Sequence, residues 1–193
     1  EESRPIAQFA DKLHPWAAFI FAGSTFPKGY SSETGADMLL TNAAADINKP
    51  RGSLESLDDV TAIFKAQPEE TMLNFLKASI KTNKEETEDI KKLHQAYSDG
   101  RFEELIPLLE ETEQRTLKLV DTKYAKAMSD WLKNDLLIRR NLAWLPEIRK
   151  QSAKQSTLFA VGIAHLPSEK GLIELLRQEG YQVTPEPKVL IWQ

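Results

Sequence analysis

One stretch near the end of this chain constrains its fold more than any other. In Phe159-Ala160-Val161-Gly162-Ile163-Ala164-His165-Leu166-Pro167 an apolar run stops at a glycine, a histidine follows three residues later, and a proline closes the segment. A compact amphipathic segment then begins at Ser168. That order reads as a buried strand over residues 156–161 whose carboxyl end presents an imidazole in a turn ahead of a helix. Open α/β structures keep ligands and chemistry at such strand ends.

The flanking text extends this reading. Leu172, Ile173, Leu175 and Leu176 give residues 168–179 an apolar helical face, with Gly180 placed to end the helix. Tyr181-Gln182-Val183 and Val189-Leu190-Ile191-Trp192, separated by Pro185-Glu186-Pro187, read as two strands of a hairpin. A further short strand is expected over residues 49–54, pairing near Arg51 with the segment around Phe159.

The middle of the chain is helical in pattern. Residues 16–21 suit either a short helix or a buried strand, and residues 35–47 suit a helix. Ser56 with Asp59 forms a capping box ahead of Val60, Ile63 and Phe64. Gln67-Pro68-Glu69-Glu70 marks a second helix start with Pro at the first helical position, and Thr82 with Glu85 marks a third that stops near Gly100. A short helix over residues 101–111 follows. A long pattern over residues 113–150 keeps Leu117, Val120, Tyr124, Met128, Trp131 and Leu132 at helical spacing, with a break expected near Ser129. The expected fold is therefore α/β and helix-rich, one domain over residues 1–193, with a small sheet formed largely by the C-terminal strands.

Composition excludes several classes. The 25 basic and 29 acidic residues leave a net charge of -4, with no cationic surplus to neutralise phosphates, so nucleic acid is not an expected partner. Absence of cysteine removes disulfides, thiolate metal sites and thiol chemistry but leaves the compartment open. The longest apolar stretch, from Trp16, is too short to span a bilayer, so no transmembrane segment is expected. The oligomeric state is not legible.

The segment 159–167, followed by Gly171-Leu172, Leu175-Leu176-Arg177 and Gly180-Tyr181-Gln182-Val183, resembles the C-terminal part of the TraB/PrgY/GumN family, to which the Tiki metalloproteases are distant relatives. Arg140-Asn141, Ala96-Tyr97-Ser98-Asp99-Gly100, Lys49-Pro50, Gly35-Ala36-Asp37 and His14-Pro15-Trp16 agree in order. The resemblance runs over nearly the whole chain. It implies a metal-dependent hydrolase of peptidase type, with a divalent metal such as Mn, Co or Zn. By the same resemblance His165 and Glu55 are the metal-ligand positions, and Glu55, Arg140 and His165 the catalytic ones. It also implies a bacterial protein that is exported or periplasmic.

The chain departs from the family pattern in one respect. The family carries an earlier Gly-x-x-His motif after a strand and an acidic residue on the next, and this sequence has neither; its other histidines, His14 and His94, stand in different contexts. Two explanations stand: the chain is incomplete at its N-terminus, or it comes from a lineage that lost the chemistry; either way the chain alone is expected to be inactive and to bind metal only weakly, since a structural or catalytic metal needs roughly three or four protein ligands. A non-catalytic module that holds a peptide or small ligand is the alternative.

Each residue also has a structural reading. His165 can be a ligand or base, or a histidine that organises its own loop. Glu55 can be a carboxylate of the site, or a charge beside the helix start at Ser56. Arg140 can clamp an anion, or pair locally along a helix.

Overall fold

The computed structural model describes residues 12–23 and 29–185. Two compact units divide the chain, with the boundary between Leu132 and Lys133.

The first unit is helical: α1 (Pro15–Gly23), α2 (Ala36–Asp46), α3 (Leu57–Lys65), α4 (Glu69–Asp99), α5 (Leu105–Leu117) and α6 (Thr122–Asp130). The capping box expected at Ser56 is present. The Ser56 hydroxyl accepts the Asp59 backbone N–H, and the Asp59 carboxylate accepts the Ser56 N–H. Pro68 stands just ahead of α4 in extended backbone, one position earlier than expected, and its carbonyl accepts the Thr71 and Met72 N–H groups.

The expected break at Thr82 does not occur, and α4 runs 31 residues without interruption. Thr82 is buried, and its hydroxyl turns back onto the Ala78 and Ser79 carbonyls inside the helix instead of capping a new one. Gly100 ends the helix in the left-handed conformation, with its own N–H on Tyr97 and the next N–H on Ala96. The later break also moves. It falls at residues 118–121, where the Asp121 side chain accepts the Lys123 N–H and starts α6, and not near Ser129.

Helix α4 is the spine of this unit, with α1, α5 and α6 against it. Met72, Phe75 and Ala78 line its buried side, and Leu105, Leu117, Tyr124, Met128 and Trp131 complete the core. Phe19 and Phe64 meet the Trp131 ring at centroid distances of 6.1 and 5.2 Å, both edge-on, the arrangement aromatic quadrupoles favour.

Polar groups seam α4 to α5. Asp89 is 4% exposed and accepts hydrogen bonds from Arg115 (2.6 Å), Thr112 (3.0 Å) and Lys92 (3.3 Å). Burial alone raises its carboxyl, but these donors outweigh burial and hold it below the usual aspartate range. A carboxylate whose pKa is depressed by folding stabilises the fold fully above its unfolded value of about 3.9 and loses that contribution as pH falls through the lower folded value. Urea midpoints of the wild type should therefore drop as pH falls from about 5 to about 2, and Asp89→Asn should be weaker at neutral pH with a flatter acid limb. Parallel acid limbs would remove Asp89 from the linkage.

The second unit contains a π-helical stretch, Trp131–Ile138, in which the unit boundary falls, then α7 (Arg139–Ser152), a single 3-10 turn (Ile163–His165) and α8 (Leu172–Gln178). Among the described residues Asn141, Trp144, Leu145, Ile148, His165, Gly171, Leu172 and Leu175 are buried in it.

The expected sheet is absent: no strand occurs among the described residues. Residues 49–53 are irregular and solvent-exposed. Residues 156–162 do carry a period-two burial pattern, with Thr157, Phe159 and Val161 half-buried between exposed neighbours, but without a ladder. Alternation in a sequence reports which side of an extended chain is apolar; a strand additionally needs a hydrogen-bonded partner, which alternation does not supply. The fold is thus helix-rich without the α/β sheet. Tyr181-Gln182-Val183 likewise forms no strand among the described residues, and its expected mate over residues 189–192 lies outside them. Helix α8 starts at Leu172 instead of Ser168, because Ser168 adopts a positive φ of 80° and residues 168–171 form a turn.

Candidate functional site

Two of the three expected site residues meet in the second unit. Arg140 stands in the first turn of α7, and its Nη1 donates to the Leu136 carbonyl at 3.0 Å and to His165 Nε2 at 3.4 Å. His165 ends the 3-10 turn and is 7% exposed. Both pack on one ring: the Trp144 centroid lies 4.5 Å from the His165 centroid and 5.0 Å from Arg140 Cζ. Arg140 and Trp144 are four residues apart on α7, so one helix face carries both. Glu55 belongs to the first unit, half-buried, in a turn where its backbone N–H meets Ser53 Oγ at 3.4 Å. It precedes the cap of α3, and the acid that serves that cap is Asp59.

Asn141 organises the cluster. It is 2% exposed; its Nδ2 donates to the His165 carbonyl (3.2 Å) and the Lys170 carbonyl (2.9 Å), and its Oδ1 faces His165 Nδ1 at 2.7 Å. These contacts fix the imidazole's protons. A guanidinium only donates, so Nε2 must accept; Asn141 Nδ2 is committed to two carbonyls, so Oδ1 must accept from Nδ1–H. His165 is therefore neutral, protonated on Nδ1, with its lone pair turned to a cation.

The loop between His165 and α8 is held as tightly. A Cβ on Gly171 would lie 1.9 Å from the Pro167 carbonyl oxygen, so only glycine permits this approach. The Ile173 N–H donates to the Leu166 carbonyl at 3.3 Å, tying α8 back to the turn. An open groove of about 570 Å³ borders this loop, lined by Leu166, Pro167, Ser168, Ile173 and Arg177 among others; His165 and Arg140 do not line it.

A profile of the TraB/PrgY/gumN family matches residues 1–185. The chain belongs to the TraB/PrgY/gumN family. No curated protein and no solved structure matches it. Among the described residues of this TraB/PrgY/gumN chain no helix is long and apolar enough to cross a membrane.

The metal implied by the resemblance can be tested against the donor set. No group of three or more His, Asp, Glu or Cys side chains gathers among the described residues. The one imidazole of the cluster directs Nε2 at a guanidinium, which competes for the lone pair and repels a second cation. The described residues do not fit a tightly held divalent ion.

Sequence reasoning missed the weight of Asn141. Its signal was present: Asn141 stands three, four and seven residues before the buried Trp144, Leu145 and Ile148, on one helix stripe where a polar side chain requires internal partners.

Proposed function

We infer that this member of the TraB/PrgY/gumN family is a ligand-binding module whose Arg140–His165 cluster takes an anionic group, most simply the carboxylate of a peptide or small acid. The contact of Arg140 with His165 Nε2 carries the reading. A guanidinium can present paired donors to a carboxylate, and a carboxylate arriving there would accept from Arg140 while the tautomer stays fixed by Asn141. Trp144 beneath both groups keeps them aligned. Calorimetry with an N-acetylated dipeptide acid should register binding that the corresponding amide lacks, and Arg140→Gln should weaken it by about tenfold or more. Equal binding of acid and amide would overturn the reading.

A metal-dependent hydrolase of peptidase type is the second reading, and the imidazole itself favours it. Locking Nδ1–H onto a neighbouring acceptor is how hydrolytic and metal sites orient the opposite nitrogen as base or ligand. The two readings separate on metal affinity. For residues 1–193, titration with Mn²⁺, Co²⁺ or Zn²⁺ is expected to give no more than weak binding; tight binding lost on His165→Gln would transfer the site to the hydrolase reading.

A further inference from the structure

Helix α2 (Ala36–Asp46) contains no buried residue, and only Ala44 along it is half-buried. Gly35 starts it without a side-chain cap. A helix of 11 residues makes too few internal hydrogen bonds to offset its nucleation in water, so its stability comes from laying an apolar face against something else. Ala36, Leu39, Leu40, Ala43 and Ile47 supply such a face at helical spacing, and Leu39 and Ile47 are 60% and 70% exposed. One flank of that face is charged in an ordered way. After the helix Asn48 takes a positive φ of 52°, its N–H donates to the Ala45 carbonyl at 2.9 Å, and the Lys49 N–H donates to the Ala44 carbonyl at 2.7 Å. These two bonds turn the chain back, and Arg51 Nη1 then donates to the Thr41 carbonyl at 3.5 Å. Lys49 and Arg51 therefore lie beside Ala44 and Thr41. Asp37 precedes Thr41 by four residues and Ala44 by seven, so it occupies the same flank at the opposite end. Asp37 and Lys49 form no ion pair among the described residues.

We propose that α2 is the contact helix of a homodimer, packed antiparallel against α2 of a second copy about a two-fold axis at Ala43. A two-fold axis sets each flank of one helix beside the same flank of its mate, with the ends exchanged. A charged flank is then self-complementary only if its sign reverses from end to end, and this flank is acidic at Asp37 and basic at Lys49 and Arg51. With Ala43 on its own copy, Leu39 of each chain meets Ile47 of the other, and Asp37 meets Lys49, each contact occurring twice. The small side chain of Ala43 at the centre lets the two backbones approach. Parallel copies would instead set Asp37 on Asp37 and Lys49 on Lys49, which like charge disfavours. The apolar face thus selects a helix-sized partner, and the order of its charges selects this same chain.

Sedimentation of the full chain is expected to show a monomer–dimer equilibrium with a Kd of about 10–100 µM, since one helix pair is smaller than a standard interface. Leu39→Glu, at a side chain already exposed, should leave the melt of the dilute chain unchanged and weaken the dimer about tenfold or more. A charge swap tests the pairing itself. Asp37→Lys and Lys49→Glu should each weaken the dimer by about fivefold, and the double variant should recover most of the affinity. Each single change also opposes the dipole of α2, so a purely local effect would add in the double variant and not cancel. Hydrogen exchange supplies a readout confined to the helix: the α2 amides should gain protection as concentration rises, in step with the dimer. A chain that stays monomeric at about 1 mM, a dimer indifferent to Leu39→Glu, or additive loss in the double variant overturns the proposal. So do α2 amides that are fully protected in the dilute monomer, because another part of the chain would then cover the helix.

Discussion

Replacing Asn141 by leucine is expected to lower folding stability by about 3–5 kcal/mol, although the two side chains share the same branched heavy-atom skeleton. The side chain is 2% exposed and takes part in three hydrogen bonds, to His165 Nδ1, the His165 carbonyl and the Lys170 carbonyl. Leucine fills the space but leaves one buried donor and two carbonyls without that partner, and each unsatisfied buried group costs about 1–3 kcal/mol. Urea denaturation should show a lower midpoint at unchanged slope. A loss below about 1 kcal/mol would mean that water reaches these groups and that Asn141 does not organise the turn. The same burial makes His165→Ala destabilising, which separates this histidine from a solvent-exposed ligand that could be removed without structural cost.

Truncating Trp131 to alanine is expected to cost about 3–5 kcal/mol, the range for removing a buried aromatic ring. Trp131 is 2% exposed, stacks edge-on against Phe64 and Phe19, and donates from Nε1 to the Ile63 carbonyl at 3.3 Å. Both the packing and a hydrogen bond that anchors the end of α3 are lost together. Thermal melts of Trp131→Phe should lie between wild type and alanine, because phenylalanine retains most of the ring and loses the donor. Equal melts for phenylalanine and alanine would assign the effect to the hydrogen bond instead of the ring.

The helices were legible where local chemistry decides them. The capping box at Ser56, the stop at Gly100 and the apolar stripe through Tyr124, Met128 and Trp131 each follow from side chains within a turn or two of one another. The capping pattern at Thr82 misled because it, too, is local: whether a threonine caps a helix or bonds back inside one depends on what buries it, and here Glu86 accepts from both the Thr82 and Thr116 hydroxyls across α4 and α5. The sheet misled for a different reason. Residues 156–161 have the composition and alternation of a strand, but pairing is a non-local event that alternation does not specify, and no ladder forms among the described residues.

The site was legible in part. His165 stood out from its Gly-x-x-His-Leu-Pro setting, and Arg140 from the resemblance; the structure brings the two to 3.4 Å. The state of the ring was not legible, since it depends on Asn141, a residue 24 positions away in sequence whose amide commits its donors to two carbonyls. The backbone of Gly171, unremarkable in sequence as a helix neighbour, proves necessary because the Pro167 carbonyl occupies the place of a side chain.

The central claim is that His165 is a neutral imidazole protonated on Nδ1, with Nε2 accepting from Arg140. Nitrogen-15 NMR of the histidine-labelled full chain near neutral pH reads this directly, with His165→Gln assigning the signal. The account predicts a pyrrole-type Nδ1 and a pyridine-type Nε2, the latter shifting in Arg140→Gln. A proton on Nε2, or a ring protonated on both nitrogens, would contradict it.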